Sequence, residues 1–387
     1  MSVTPQPPLE LKASPARSDV GAALRRIGEV VGLGILPIAV LAWMFVVGVQ
    51  GGPLSGDFHH ELYPEAKLLL RGENPFPSPD TPIGGANFVW PPVAGYLVSP
   101  LTLLPVGVAD IVMVLLGLAC FALALWLVGV RDWRVYGVVA LWPEFTSEMR
   151  VSHLTPVLAV LLAAAWKWRD REGLPGVLVG FAVAVKFFVW PLGVWFIAIG
   201  RGRAALVAAV FAAASLLLVL PFTGLDDYVR TLLDLGRTFD QDSYSVFGLL
   251  MQLESPETLA RVVMLVTGAA VLFYCWRRAS FTAAIGAALL LSPIVWLDFY
   301  ALAAIPLAVV LPRFSLVWLV PLATWGLPSS GIGAGTAWGV TRALIAFTIV
   351  LAVTVRLERH SVRDGDRHRA TVRPRTNRGF EPRSSPD

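Results

Sequence analysis

The sequence predicts an all-α polytopic membrane protein, and three observations carry that prediction. Of its 387 residues 56% are hydrophobic and only 15% charged, with a mean hydropathy of +0.67. Soluble domains carry roughly 25% charged residues. The apolar residues fall in runs of the length a helix needs to cross a bilayer, about 20 residues. The basic residues gather in connections that fall on one side of those runs. This pattern excludes a cytosolic enzyme, a disordered chain and a nucleic-acid-binding module. The pI near 9.3 comes from short loops and tails and does not point to a polyanionic partner. Cys120 and Cys275 lie inside apolar runs and read as small core residues.

Residues 1–26 are polar and Pro-rich and read as a disordered cytoplasmic tail. The run from Ile27 to Val49 is too long for a signal-peptide core and lacks a small-residue cleavage site, so it reads as an uncleaved first span. Further apolar runs cover 106–130, 135–147, 153–168, 174–200, 203–221, 258–276, 280–312, 315–328 and 336–356. Lys186 and Pro191 interrupt 174–200, which predicts two short helices meeting at a kink. The stretch SPIVWLDFY interrupts 280–312, which reads as two spans joined at 293–300. The sum is about twelve spans in one transmembrane domain, 27–356. The Arg-rich segment 357–387 reads as a disordered cytoplasmic tail near anionic lipid.

With the N-terminus inside, this threading puts 23 of the 31 basic residues on the cytoplasmic face and 5 outside. The two long loops, 51–105 and 222–257, fall outside and hold 12 of the 27 acids. Long loops in a compact protein are usually functional. Within the first, PPVAGYLVSPLTLL (91–104) reads as an interfacial helix on the outer leaflet. Counting it as a span would turn Arg131 and Arg134 outward. The expected location is therefore a cell membrane, with both termini cytoplasmic and the working face outside.

Ionisable residues at or near membrane depth are the candidates for chemistry. Asp57 follows the first span directly, where a cavity would desolvate it into a general base; a solvated acid at a helix exit fits the same position. His59 and His60 beside it offer ligand or cation chemistry, but Asp-x-His-His has no matching partner set, so no metal or cofactor is expected. Glu61 and Glu65, spaced i,i+4, read as a solvated helical face. Asn74 lies in a turn and Trp90 at a membrane edge. Glu144, Glu148, Arg150 and His153 form a polar island, in which Arg150 either pairs with one of the glutamates or takes a phosphate. Lys186 is surrounded by apolar residues, which leaves an anion, an acid from another span or a helix break to satisfy it. Asp298 sits at the later break as its partner, as a sugar-hydroxyl contact or as a turn acid. The loop 236–250 is rich in Asp, Gln, Ser and Tyr, which suits headgroup or sugar hydrogen bonding and equally any solvated loop.

These residues carry a resemblance. DFHHELYPEAKLLLRGENPF followed by FVWPPVAGYLVSPLTLLP (57–76 and 88–105) resembles the first outer loop of glycosyltransferase family 87. GLPGVLVGFAVAVKFFVWPL (173–192), SYSVFGLL (243–250) and LLLSPIVWLDFYAL (289–302) resemble later motifs in family order. The resemblance implies a GT-C-like bundle and sugar transfer, probed most naturally with mannose, from a polyprenyl-phosphate donor to a lipid or glycan hydroxyl on the outer face. It implies inversion, with Asp57 as general base. Substrate contacts would come from His59, His60, Asn74, Trp90, Arg150, His153, Lys186, Ser243, Trp296 and Asp298. Two positions depart from the family. Ser152-His153 stands where Gly-Gln is common, and Asp298-Phe299 where a His pair is common. A secondary transporter coupled through Lys186 and Asp298 is the competing reading, and it would show matched halves, which the sequence lacks.

Overall fold

The computed structural model describes residues 15–51, 54–77, 89–220, 224–328 and 334–372. They are helical, with no strand among them. α1 (Pro15–Val30) and α2 (Leu36–Gly51) run as one helix through a π-turn at Val31–Ile35. A second π-turn, Phe58–Leu62, leads into α3 (Tyr63–Leu70). α4 (Pro92–Val98) and a 3-10 stretch follow, confirming a helix in the segment read as interfacial. α5 (Val106–Leu127), α6 (Trp133–Ala140), α7 (Pro143–Val151) and α8 (Thr155–Lys167) come next. α9 (Leu174–Val185), α10 (Pro191–Ala198) and α11 (Gly202–Val219) precede α12 (Leu225–Thr238) and α13 (Val246–Gln252). α14 (Glu257–Arg278), α15 (Phe281–Leu290), α16 (Ala304–Val310) and α17 (Ala337–Val372) complete the chain. α1 and α17 carry helix into both terminal segments expected to be disordered, because backbone hydrogen bonds propagate locally from an adjoining span. Residues 1–14 and 373–387 of those segments lie outside the described residues.

The expected dozen spans resolve differently. Five helices among the described residues are long and apolar enough to cross a membrane, at Gly21–Gln50, Val106–Leu127, Gly202–Val219, Glu257–Arg278 and Ala337–His360. The other apolar runs are broken, mostly beside proline, which cannot continue a helix from its interior. The run 135–147 divides between α6 and α7 ahead of Pro143, and 315–328 forms a 3-10 stretch containing Pro321.

Runs 174–200 and 280–312 are hairpins. Arg201 and Arg203 after α10 pair with Asp170 and Glu172 before α9, at 2.9 and 2.8 Å, so the chain returns to the face it left. Ser280, before α15, donates to Glu358 at 2.6 Å, and the Phe314 amide, after α16, donates to Asp132 at 3.0 Å. Asp132 follows α5, and Lys167 at the end of α8 lies 4.8 Å from the Trp126 ring at the end of α5. Both hairpins therefore stand on the basic face. α9, with 12 residues, rises about 18 Å, past the midpoint of a ~30 Å hydrocarbon core.

Glycine sets the closeness of these hairpins. A Cβ at Gly176 or Gly180 would lie 2.4 or 2.6 Å from the Ala204 or Ala208 carbonyl oxygen on α11. Small residues four apart on both helices let the backbones touch, the packing that replaces hydrophobic driving force in lipid.

Candidate active site

A cavity of about 590 Å³ forms where the two hairpin tips meet the start of loop 51–105 and the helix α12. Asp57, Glu61, Trp90, His153, Lys186, Phe299 and Trp296 line it, with Tyr228, Leu232 and Leu235 of α12 and Phe239 just after it. Apart from Ser292, the rest of its wall is apolar. α9 ends at Val185, and Lys186 takes an extended conformation, φ −153° and ψ 107°. Its ammonium lies 3.9 Å from the Trp90 ring centroid and 3.7 Å from that of Phe299. Phe188 stacks on Phe299, 5.0 Å between centroids and nearly parallel. Aromatic faces thus receive the half-buried cation at the hairpin tip.

The second polar group is a chain of side chains. Ser152 ends α7 in the left-handed region, φ 55° and ψ 49°, and turns His153 inward. His153 Nε2 contacts Asp57 Oδ2 directly. Its Nδ1 lies 3.1 Å from Asp298 Oδ2, to which the Thr155 hydroxyl also donates at 3.0 Å. Asp298 is fully buried in the 3-10 stretch Leu297–Ala303, and Glu148 on α7 lies beside it. Lys186 interacts electrostatically with Asp298, Glu148, Asp57 and Glu61. Glu148, His153 and Asp298 present possible ligand atoms within 4.8 Å of one another. Both imidazole nitrogens are engaged by carboxylates, so the arrangement fits a hydrogen-bonded chain better than an ion site.

Glu61 corrects the sequence reading. It is buried, not solvated, and Trp90 Nε1 donates to it at 3.4 Å. Burial, and then the neighbouring Asp57 charge, push its carboxyl up to about 8. Burial likewise raises Glu65 to about 7. Glu61 lies in the π-turn, where the packing of Trp90 and the cavity wall bury it.

The remaining sequence candidates lie elsewhere. His59 Nδ1 is 2.7 Å from Asp110 Oδ2, and Ser55 donates to the same carboxylate at 3.1 Å; this pins the loop to α5. His60 rests against the His59 ring, 4.8 Å between centroids. Asn74 donates to Asp227 at 2.5 Å and so ties loop 51–105 to α12. Ser243 donates to the Pro293 carbonyl at 3.1 Å and accepts the Val295 amide at 2.9 Å, satisfying the backbone of the α15–α16 break. Arg150 is exposed, while Glu144 accepts from Thr324 and Glu148 faces Asp298, so neither expected ion pair forms. Among these positions the structure brings Asp57, Trp90, His153, Lys186, Trp296 and Asp298 together. Sequence reasoning missed Asp110, Thr155 and the α12 cover. Asp110 carried a signal, as an acid within the first turns of a long apolar run.

A bundle of apolar helices around a largely apolar cavity that holds two acids, a histidine and one lysine defines a membrane protein with a polar site set among its helices. Residues 88–297 match the profile of Glycosyltransferase family 87, more than half of the chain. The protein belongs to that family and is a membrane glycosyltransferase. No curated protein and no solved structure matches the chain.

Proposed function

We propose that the protein is an inverting, GT-C-like transferase that moves a sugar, mannose in the first instance, from a polyprenyl-phosphate donor to a lipid or glycan hydroxyl on the outer face. The carrying observation is that the Asp57 carboxylate and the Lys186 ammonium share one apolar cavity. Phe187 and Trp190 line that cavity and are also 61% and 37% exposed on the outside of the bundle. A lipid-linked donor could therefore slide its headgroup in from the bilayer between these rings.

In the proposed step the acceptor oxygen attacks the anomeric carbon while Asp57 takes its proton. The bond from the anomeric carbon to the phosphate oxygen breaks, and the electron pair leaves with the polyprenyl phosphate. Lys186 balances the charge that grows on that phosphate, beside a largely apolar wall. Phosphate is a stable anion, so the leaving group needs no proton. Trp90 and Trp296 offer faces for the sugar, and Asp298 and His153 stand behind the base.

The test is transfer of label from polyprenyl-phosphate mannose in isolated membranes carrying wild-type or Asp57→Asn protein. Incorporation should depend on the wild-type chain and fall by at least about 100-fold in the variant. Retained transfer by Asp57→Asn would remove Asp57 from the mechanism. If wild type incorporates no mannose but does incorporate another sugar from its polyprenyl phosphate, the donor sugar is reassigned and the step stands.

A further inference from the structure

Among the described residues His153 is the hydrogen-bond partner of the Asp57 carboxylate, through Oδ2, and Asp57 lines the cavity. His153 is itself fixed from behind. Asp298 Oδ2 receives the Thr155 hydroxyl at 3.0 Å and lies 3.1 Å from Nδ1. Asp298 has no exposure, and the His153 side chain is only 4% exposed. With Asp298 as the carboxylate of its pair with Glu148, it meets the imidazole as an acceptor and Nδ1 carries hydrogen. The ring cannot turn over without burying an unpaired Nδ1–H in this water-poor wall.

We propose that Asp298 is a positioning residue that acts through His153 on Asp57, forming a three-member relay Asp298–His153–Asp57 behind the acceptor hydroxyl. The inference rests on the reading of Asp57 as base and adds what makes it one. One proton lies between Asp57 Oδ2 and Nε2. As the acceptor proton arrives at Oδ1, the shared proton settles on Nε2. The imidazolium so formed stands between a neutral Asp57 and the Asp298 carboxylate. The relay gains one positive charge as the departing phosphate gains one negative charge. Among the described residues Glu148, Glu61 and Lys186 are the other charged or titratable groups that interact electrostatically with this chain.

Two measurements test it. In the first, kcat and KM for transfer are compared in His153→Gln, Asp298→Asn and the double variant, with Asp57→Asn as the floor. Each single change should lower kcat by about 10- to 100-fold with KM within about twofold. The double variant should be no more than about threefold below His153→Gln, since in the relay Asp298 reaches the base through His153. Multiplying effects, or a KM change at constant kcat, would overturn the relay. The second uses purified protein with nitrogen-15 histidine, one of five in the chain. The His153 signal, assigned by its loss in His153→Gln, should show a strongly hydrogen-bonded ring N–H that moves upfield in Asp298→Asn. Thr155→Val replaces that variant if the latter does not fold, with a smaller shift in the same direction. A His153 signal indifferent to these changes removes the relay alone, and it does so whichever donor the enzyme uses. Retained transfer in Asp57→Asn removes the base reading instead.

Discussion

Glu61 shows at the residue scale how spacing and surroundings diverge. Its partner at i+4 suggests a wet helical face, yet a π-turn turns it under Trp90. An acid whose folded value lies above its unfolded one ionises first in the unfolded chain. Stability is therefore lost as pH rises from about 4.5 toward about 8, and the loss is constant above that. Glu61→Gln keeps an oxygen for the Trp90 donor and removes the ionisation. It should unfold at nearly the wild-type temperature at pH 5 and be more stable at pH 8, by an amount on the order of 4 kcal/mol at most. Thermal unfolding in detergent at the two pH values reads this, and an unchanging difference between them would refute it. Asp57, Lys186 and Asp298 were legible in the sequence because a charge in or beside an apolar run has few ways to be satisfied. Glu148 and His153 were visible as a polar island. Their partner was not, since Asp298 is about 150 residues away in sequence and only the fold brings the two together.

At the scale of elements, both helix breaks could be read from Lys186 with Pro191 and from Ser292 with Pro293. What could not be read is that each broken run is a hairpin. The apolar length of two half-helices equals that of a full crossing, and only the fold shows the return, in the Asp170–Arg201 and Glu172–Arg203 pairs at the base. The tip position of Lys186 depends in turn on how closely α9 lies on α11. Gly180→Ala places a methyl 2.6 Å from the Ala208 oxygen and 2.9 Å from Phe211 Cβ, so the helices must separate. We expect a loss of about 1–3 kcal/mol in stability and reduced transfer as Lys186 moves with α9. Gly193→Ala on α10 meets nothing within 4 Å and serves as the control, neutral or slightly stabilising. Equal unfolding temperatures for the two variants would mean that the contact does not set the packing.

For the whole molecule, the hairpins strengthen the charge argument. A run that returns to its own face leaves the alternation of sides intact, so Arg131, Arg134, Lys167, Arg201, Arg203 and Arg313 all stay with the basic ends of the bundle. Asp57, Lys67 and α12 belong to the opposite face, where acids outnumber bases. The positive-inside bias then predicts that Lys67→Cys is labelled by an impermeant maleimide in intact cells, whereas Arg203→Cys is labelled only after permeabilisation. Both positions are exposed on the protein, and the comparison is made with Cys120 and Cys275 replaced by Ala. If the labelling comes out so, the site opens away from the cytosol, receives no nucleotide sugar and must draw on a donor that the membrane itself carries across. The reverse labelling would place Asp57 on the cytosolic side, where a nucleotide-linked donor becomes available and the case for a lipid phosphate at Lys186 loses its physical reason.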